Sequence, residues 1–134
     1  MKIPNERIPV AYELAKEYYF NKKTTVRKES QLKLVGDNQM SFGSTGDFFV
    51  NFERLYEGLI FERTLNIFSM EYFVEHIFID YGKQYLENSL KALKQHIEYI
   101  EVKQKTRRGK MRDLYKNFLH KANLENKGDW KLKE

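Results

Sequence analysis

The chain has no cysteine among its 134 residues, and only two prolines. Without thiols it can form no disulfide and no thiolate zinc site, and it has no cysteine nucleophile. No segment reaches the unbroken apolar run of about 20 residues that a membrane helix needs. The amino-terminal residues carry charges throughout, unlike a secretory signal. We therefore expect a soluble, cytoplasmic protein with no membrane partner.

Composition predicts a folded domain rather than a disordered chain. Aromatic residues make up 15% of the sequence, and they bring enough apolar area to form a core despite 32% charged residues. A chain of this length is typical of one domain. We predict a single helical domain over residues 1–122, followed by a flexible tail over residues 123–134, where the apolar periodicity is lost.

Apolar residues recur three and four positions apart along most of the chain, which is the period of an amphipathic helix. This spacing predicts an all-α bundle of about five to six helices. Phe52 and Leu90 lie in the middle of their apolar stripes and are predicted core residues. Three predicted helices cover about residues 9–20, 69–81 and 83–102. Another carries the apolar residues of 26–35 and stops at Gly36, one begins at a cap of Ser41 or Ser44 and ends at Gly58, and a shorter one contains residues 111–119.

The first three predicted helices have the layout of a helix-turn-helix unit. The third would then present polar residues to a DNA groove, with Asn51 and Arg54 facing outward. The alternative is that any helical domain contains three adjacent helices, and that carboxylates on this helix repel phosphate. The candidate contact residues are Ser41, Ser44, Thr45, Asp47, Asn51 and Arg54.

Positive charge is concentrated at the carboxy-terminal end. Residues 1–102 have a net charge of −2, whereas residues 103–134 have a net charge of +7. Clustered cations favour nucleic acid, because each contact with a phosphate releases condensed counterions. The alternative is a solvated face with a soluble tail. The cations proposed as contacts are Lys103, Lys105, Arg107, Arg108, Lys110, Arg112, Lys116 and Lys121.

The sequence contains no recognisable catalytic constellation. Its three histidines, His76, His96 and His120, are well separated and lack neighbouring ligands at metal spacing. A phosphate-binding glycine loop and a serine nucleophile motif are also missing. We expect a protein that is not an enzyme and that needs neither a metal nor another cofactor.

Four stretches together suggest a family: MSFGSTGDFFVNFERLYEG, FERTLN, EYFVEHIFIDYG and LKALKQHIEYIE. They resemble the amino-terminal helical domain that precedes HNH nuclease modules in some bacterial restriction-type endonucleases, and the likeness covers most of residues 8–101. The matching positions are Ser44, Thr45, Phe48, Gly58, Phe61, Arg63, Thr64, Asp80, Tyr81 and Gly82. No HNH residues follow, so the resemblance implies a targeting or assembly domain without cutting activity. Arg63 and Thr64, in a connection between helices, are additional contact residues, and the alternative for both is structural bracing.

These features predict a DNA-binding domain related to restriction-type nucleases. Its role would be targeting or regulation, and it would have no catalytic site of its own. Its partner would be double-stranded DNA. One alternative is a module for protein–protein interaction or homodimerisation in a bacterial or phage defence or counter-defence system. Another is a subunit of an enzyme that supplies no active site alone.

Overall fold

The computed structural model of the chain describes residues 5–21 and 42–132, leaving aside the side chains of residues 21 and 42–45. Every regular element in these ranges is a helix, which confirms the all-α prediction. Two short 3₁₀ helices, Asn5–Arg7 and Gly128–Trp130, accompany five α-helices. These are α1 (Ile8–Asn21), α2 (Phe42–Glu57), α3 (Ile67–Tyr81), α4 (Lys83–Gln104) and α5 (Gly109–Lys121).

Helices α1, α3 and α4 begin and end within two residues of the predicted positions, and α2 and α5 contain the apolar residues predicted for their helices. The second predicted helix, with the apolar residues of 26–35, lies outside the described residues. A helix-turn-helix first half therefore stays a prediction. None of the helices in the described part of the chain is long and apolar enough to cross a membrane.

The described residues divide into two compact units, and the division falls between Glu53 and Arg54, inside α2. In the first unit, aromatic rings from α1 pack on rings from α2. Tyr12 meets Phe52 edge to face, with ring centroids 5.6 Å apart, and Tyr18 stacks on Phe49 at 5.5 Å. Phe52 is 0% exposed, which confirms that it is a core residue.

In the second unit, α3, α4 and α5 pack against one another. Helix α4 supplies the central apolar stripe of this unit, and Leu90 in the middle of it is buried as predicted. The end of α2 is attached to α4 by two hydrogen bonds. Ser89 Oγ donates to the Leu55 carbonyl at 3.1 Å, and Asn88 Nδ2 donates to the Tyr56 carbonyl at 3.0 Å. The buried members of the α4 stripe are Leu86, Leu90, Leu93, Ile97 and Ile100.

The connection between α2 and α3 is held by a buried histidine of α4. His96 Nδ1 lies 2.6 Å from the Phe61 carbonyl oxygen, which can only accept, so this nitrogen carries the proton. His96 Nε2 then accepts a hydrogen bond from the Thr64 hydroxyl at 2.8 Å. Burial lowers the pKa of His96, so the neutral ring is the favoured form.

The segment after Ala122 contacts the described helices. Leu124 is buried, and the Tyr115 hydroxyl of α5 donates to the Trp130 carbonyl at 2.6 Å. The assignment of one domain over residues 1–122 and a flexible tail over residues 123–134 stays a prediction.

Candidate nucleic-acid interface

The cations of the basic segment, residues 103–121, lie at the end of α4, in the following link and along α5. Six of them are exposed, and Asp113 is the only carboxylate among these residues. Helix α4 ends at Lys105, which adopts the left-handed conformation with φ 53°. The chain then turns so that Arg107 and Arg108 lie immediately before α5. The exposed cations are Lys103, Lys105, Arg107, Lys110, Lys116 and Lys121.

Arg112 is not part of this exposed surface, which corrects its predicted role in phosphate contact. Its guanidinium donates from Nε and Nη2 to the two carboxylate oxygens of Glu101, at 2.7 and 2.5 Å. The side chains are 6% exposed for Arg112 and 13% for Glu101. The charge of Arg112 is therefore used within the protein, where it joins α5 to α4.

The same carboxylate also positions the link between the helices. Glu101 Oε2 accepts a hydrogen bond from the backbone amide of Arg108 at 2.7 Å. The hydrogen bond from Arg112, aided by this amide and by the nearby Arg107 charge, holds the pKa of Glu101 below its ordinary value. Glu101 is thus ionised at neutral pH and fixes the backbone where the exposed arginines begin.

The link borders two grooves that differ in their content of acidic side chains. On one side, Glu98 and Glu101 line a groove together with Lys105, Arg107 and Arg112, so that carboxylates offset the cations. On the other side is a cavity of about 400 Å³, here called the Arg108 groove, which has no carboxylate in its lining. Its walls are residues 64–67 at the start of α3 and residues 107–111 at the start of α5.

The exposed cations of α5 do not share one face. Lys110 and Lys121 line a groove beside α3 that also contains Glu71 and Asp113. Lys116 lies on another side of the helix, in a groove with Lys131 and Trp130. A nucleic acid that contacted all of them would have to follow the surface around α5 rather than occupy a single cleft.

The described side chains of α2, from Gly46 onward, do not form the predicted row of DNA contacts. Asn51 is 0% exposed, so the prediction that it faces outward is wrong. Its position explains the burial: it lies three residues after Phe48 and four before Leu55, on the same helical stripe as these core residues. Ser44, Thr45 and Ser41 lie outside the described side chains. Asp47 is half-buried, between exposed and core positions.

Arg54 is exposed, as predicted, but it lies in the last turn of α2 rather than near its beginning. A cation at this end interacts favourably with the helix dipole. This interaction gives Arg54 a structural role at the end of α2.

The two residues of the connection that the family resemblance singles out have different environments. Arg63 is exposed on the connection between α2 and α3. The hydroxyl of Thr64 binds His96 and so supports the connection, while the residue also lines the Arg108 groove. Of the predicted contacts, the Arg108 groove brings together Thr64, Arg107, Arg108 and Lys110.

Sequence reasoning missed Asn66, which caps α3 and lines the Arg108 groove. Its side-chain oxygen accepts from the Ser69 amide at 2.8 Å, as an N-cap does. The spacing predicts that this helix starts at Ser69. An asparagine placed directly before an apolar run is the signal that indicates the earlier start.

Among the described residues, no group of three or more histidine, aspartate or glutamate side chains is arranged to hold a metal ion. Comparison with known proteins gives no relative: no family, no curated protein and no solved structure matches this chain.

Proposed function

We propose that this protein binds nucleic acid, and double-stranded DNA in particular, through the basic segment. The observation that carries the proposal is the excess of exposed cations there, six against the single carboxylate of Asp113. Cations that neutralise DNA phosphates release counterions, and this supplies most of the affinity of sequence-independent binding.

The arrangement of these cations favours contact with the DNA backbone over reading of bases. They lie on the link and on different sides of α5, and the side chains that the structure describes on α2 do not form a base-reading row. Phosphate contacts position a protein on DNA but carry no sequence information. We therefore propose binding with little sequence preference and with no catalytic step.

Two matched pairs of lysines on or beside α4 test this proposal. The variant K103Q/K105Q removes two cations of the basic segment, whereas K83Q/K91Q removes two exposed cations nearer the start of the same helix. Both variants lose the same net charge. If each lysine of the first pair contacts one phosphate, the loss of both contacts lowers DNA affinity about tenfold or more at 0.1 M salt.

The control variant K83Q/K91Q should change the affinity less than about threefold. Fluorescence anisotropy with a labelled duplex measures the affinities of both variants. Equal losses in the two variants would mean that net charge, rather than the basic segment, determines binding. No binding by the wild-type protein at low salt would refute the proposal.

The second candidate function is a protein-interaction module, and exposed apolar side chains favour it. Leu59 and Ile60 are adjacent on the connection between α2 and α3, and both are 43% exposed. A stable dimer on a sizing column that Leu59→Ser and Ile60→Ser abolish, with no DNA binding, would support this candidate. The relation to restriction-type nucleases stays a prediction under either function.

A further inference from the structure

The Arg108 groove contains hydrogen-bond donors and cations but no acidic side chain. Arg107, Arg108 and Lys110 contribute three positive charges to its lining. Asn66 contributes an amide whose oxygen is already used by Ser69, so that its Nδ2 group is the part left to donate. A cavity with this lining suits an anion that accepts several hydrogen bonds.

The groove also contains the amino terminus of α5. In this 13-residue helix the first intrahelical bond runs from the Arg112 amide to the Arg108 carbonyl, at 3.0 Å. Gly109, Lys110 and Met111 come before Arg112 in the helix, so their amides lie ahead of this first bond. Arg108 at the N-cap position makes no side-chain hydrogen bond to them. Such amides, together with the positive end of the helix dipole, bind phosphate in many proteins.

Arg108 provides an observation that does not depend on the helix end. Its Nε atom is buried, and within the described part of the chain it has no hydrogen-bond partner. The positive charge of Arg108 contributes to the lowered pKa of His96, after the larger effect of burial. Arg108 lines the groove together with Thr64, whose hydroxyl binds His96.

We propose that the Arg108 groove is a binding site for one phosphate group. The amides of Gly109, Lys110 and Met111 donate to its oxygens, and the side chains of Arg108 and Lys110 neutralise its charge. This site rests on the proposed function, in which the phosphate belongs to the nucleic-acid backbone. A free phosphate offers the same chemistry, and the experiment separates the two sources.

Gly109 allows a test at the level of a single backbone donor. It is the first residue of α5, where proline is tolerated, so Gly109→Pro removes one proposed amide donor. Gly109→Ala keeps the amide, and a Cβ at this position meets no atom within 4 Å. The alanine variant is therefore the matched control. Arg108→Gln is a second test that leaves the backbone unchanged.

The probes are inorganic phosphate and dimethyl phosphate, added at constant ionic strength to the full chain and followed by amide NMR shifts. We expect the amides of residues 109–111 to shift with phosphate but not with chloride. Gly109→Pro and Arg108→Gln should each weaken phosphate binding at least fivefold, and Gly109→Ala less than twofold. Equal affinity in all four proteins would overturn the proposal.

Dimethyl phosphate that binds as well as inorganic phosphate supports a backbone phosphate as the natural ligand. Strong preference for inorganic phosphate overturns that assignment and indicates a free phosphate monoester. DNA binding is measured separately and tests the proposed function. If DNA binds normally while phosphate does not shift these amides, the groove proposal fails and the proposed function stands. If phosphate binds but DNA does not, the groove proposal stands and the proposed function fails.

Discussion

The ion pair between Glu101 and Arg112 gives the sharpest test of how α4 and α5 are held together. Arg112→Met replaces the guanidinium with an apolar side chain and leaves the Glu101 carboxylate, which is only 13% exposed, without its principal partner. Removing one member of a buried pair costs roughly 3 to 5 kcal/mol. Because Glu101 keeps the Arg108 amide and some contact with water, we expect a loss of about 3 kcal/mol.

The double variant E101Q/R112M removes both charges. Glutamine still offers an oxygen to the Arg108 amide, and replacing both members of a buried ion pair is often close to neutral. We therefore expect the double variant to be more stable than R112M, with a loss below about 1.5 kcal/mol. Urea denaturation followed by circular dichroism measures the free energy of unfolding of the wild type, E101Q, R112M and the double variant.

The pH dependence provides an independent check. The folded-state pKa of Glu101 is below its ordinary value of 4.5, so the wild type loses stability as pH falls from 4.5 through the folded pKa. In R112M the same carboxyl lacks its guanidinium, and acidification should reduce the difference from the wild type. The reasoning is refuted if R112M is as stable as the wild type at pH 7, or if the double variant is less stable than R112M.

Four further variants test other parts of the structure. The unfolding free energy of the wild type should fall as pH drops below 6.5, because the folded state favours the neutral His96 ring and the unfolded state binds the proton more readily. His96→Gln should remove this pH dependence. Phe52→Ala should cost about 3 to 5 kcal/mol in urea denaturation, and an unchanged midpoint would contradict its burial. Gly58→Ala should cost roughly 1 to 2 kcal/mol, because φ is +76° there. Gly109→Ala, with space for its Cβ in a helix, should leave the stability unchanged or raise it by up to about 1 kcal/mol.

The helices could be predicted because each described helix carries an apolar stripe at positions three and four apart. The errors concern polar residues on the same stripes. Asn51 and Arg112, which the sequence predicts to contact DNA, are buried, and each lies three or four positions from a core residue of its own helix. Counting only apolar residues assigns such positions to the surface, whereas their spacing assigns them to the interior.

The partners of the buried polar groups could not be predicted from the sequence. His96 binds the Phe61 carbonyl 35 residues away, and Arg112 binds Glu101 11 residues away. Local spacing does not determine which segments approach in the folded chain. For the same reason the charge run of residues 103–121 could be identified as a cluster, but its division into a compensated groove and the Arg108 groove required the structure.

The dependence of DNA affinity on salt tests the central claim most directly. A plot of the logarithm of the association constant against the logarithm of salt concentration falls by about 0.9 for each phosphate contact on a duplex. If about four of the six exposed cations of the basic segment contact phosphates, the wild-type slope is about −3.6, and K103Q/K105Q reduces its magnitude by about 1.8. A slope near zero, or a slope in K103Q/K105Q equal to that of the wild type, would contradict nucleic-acid binding through this segment.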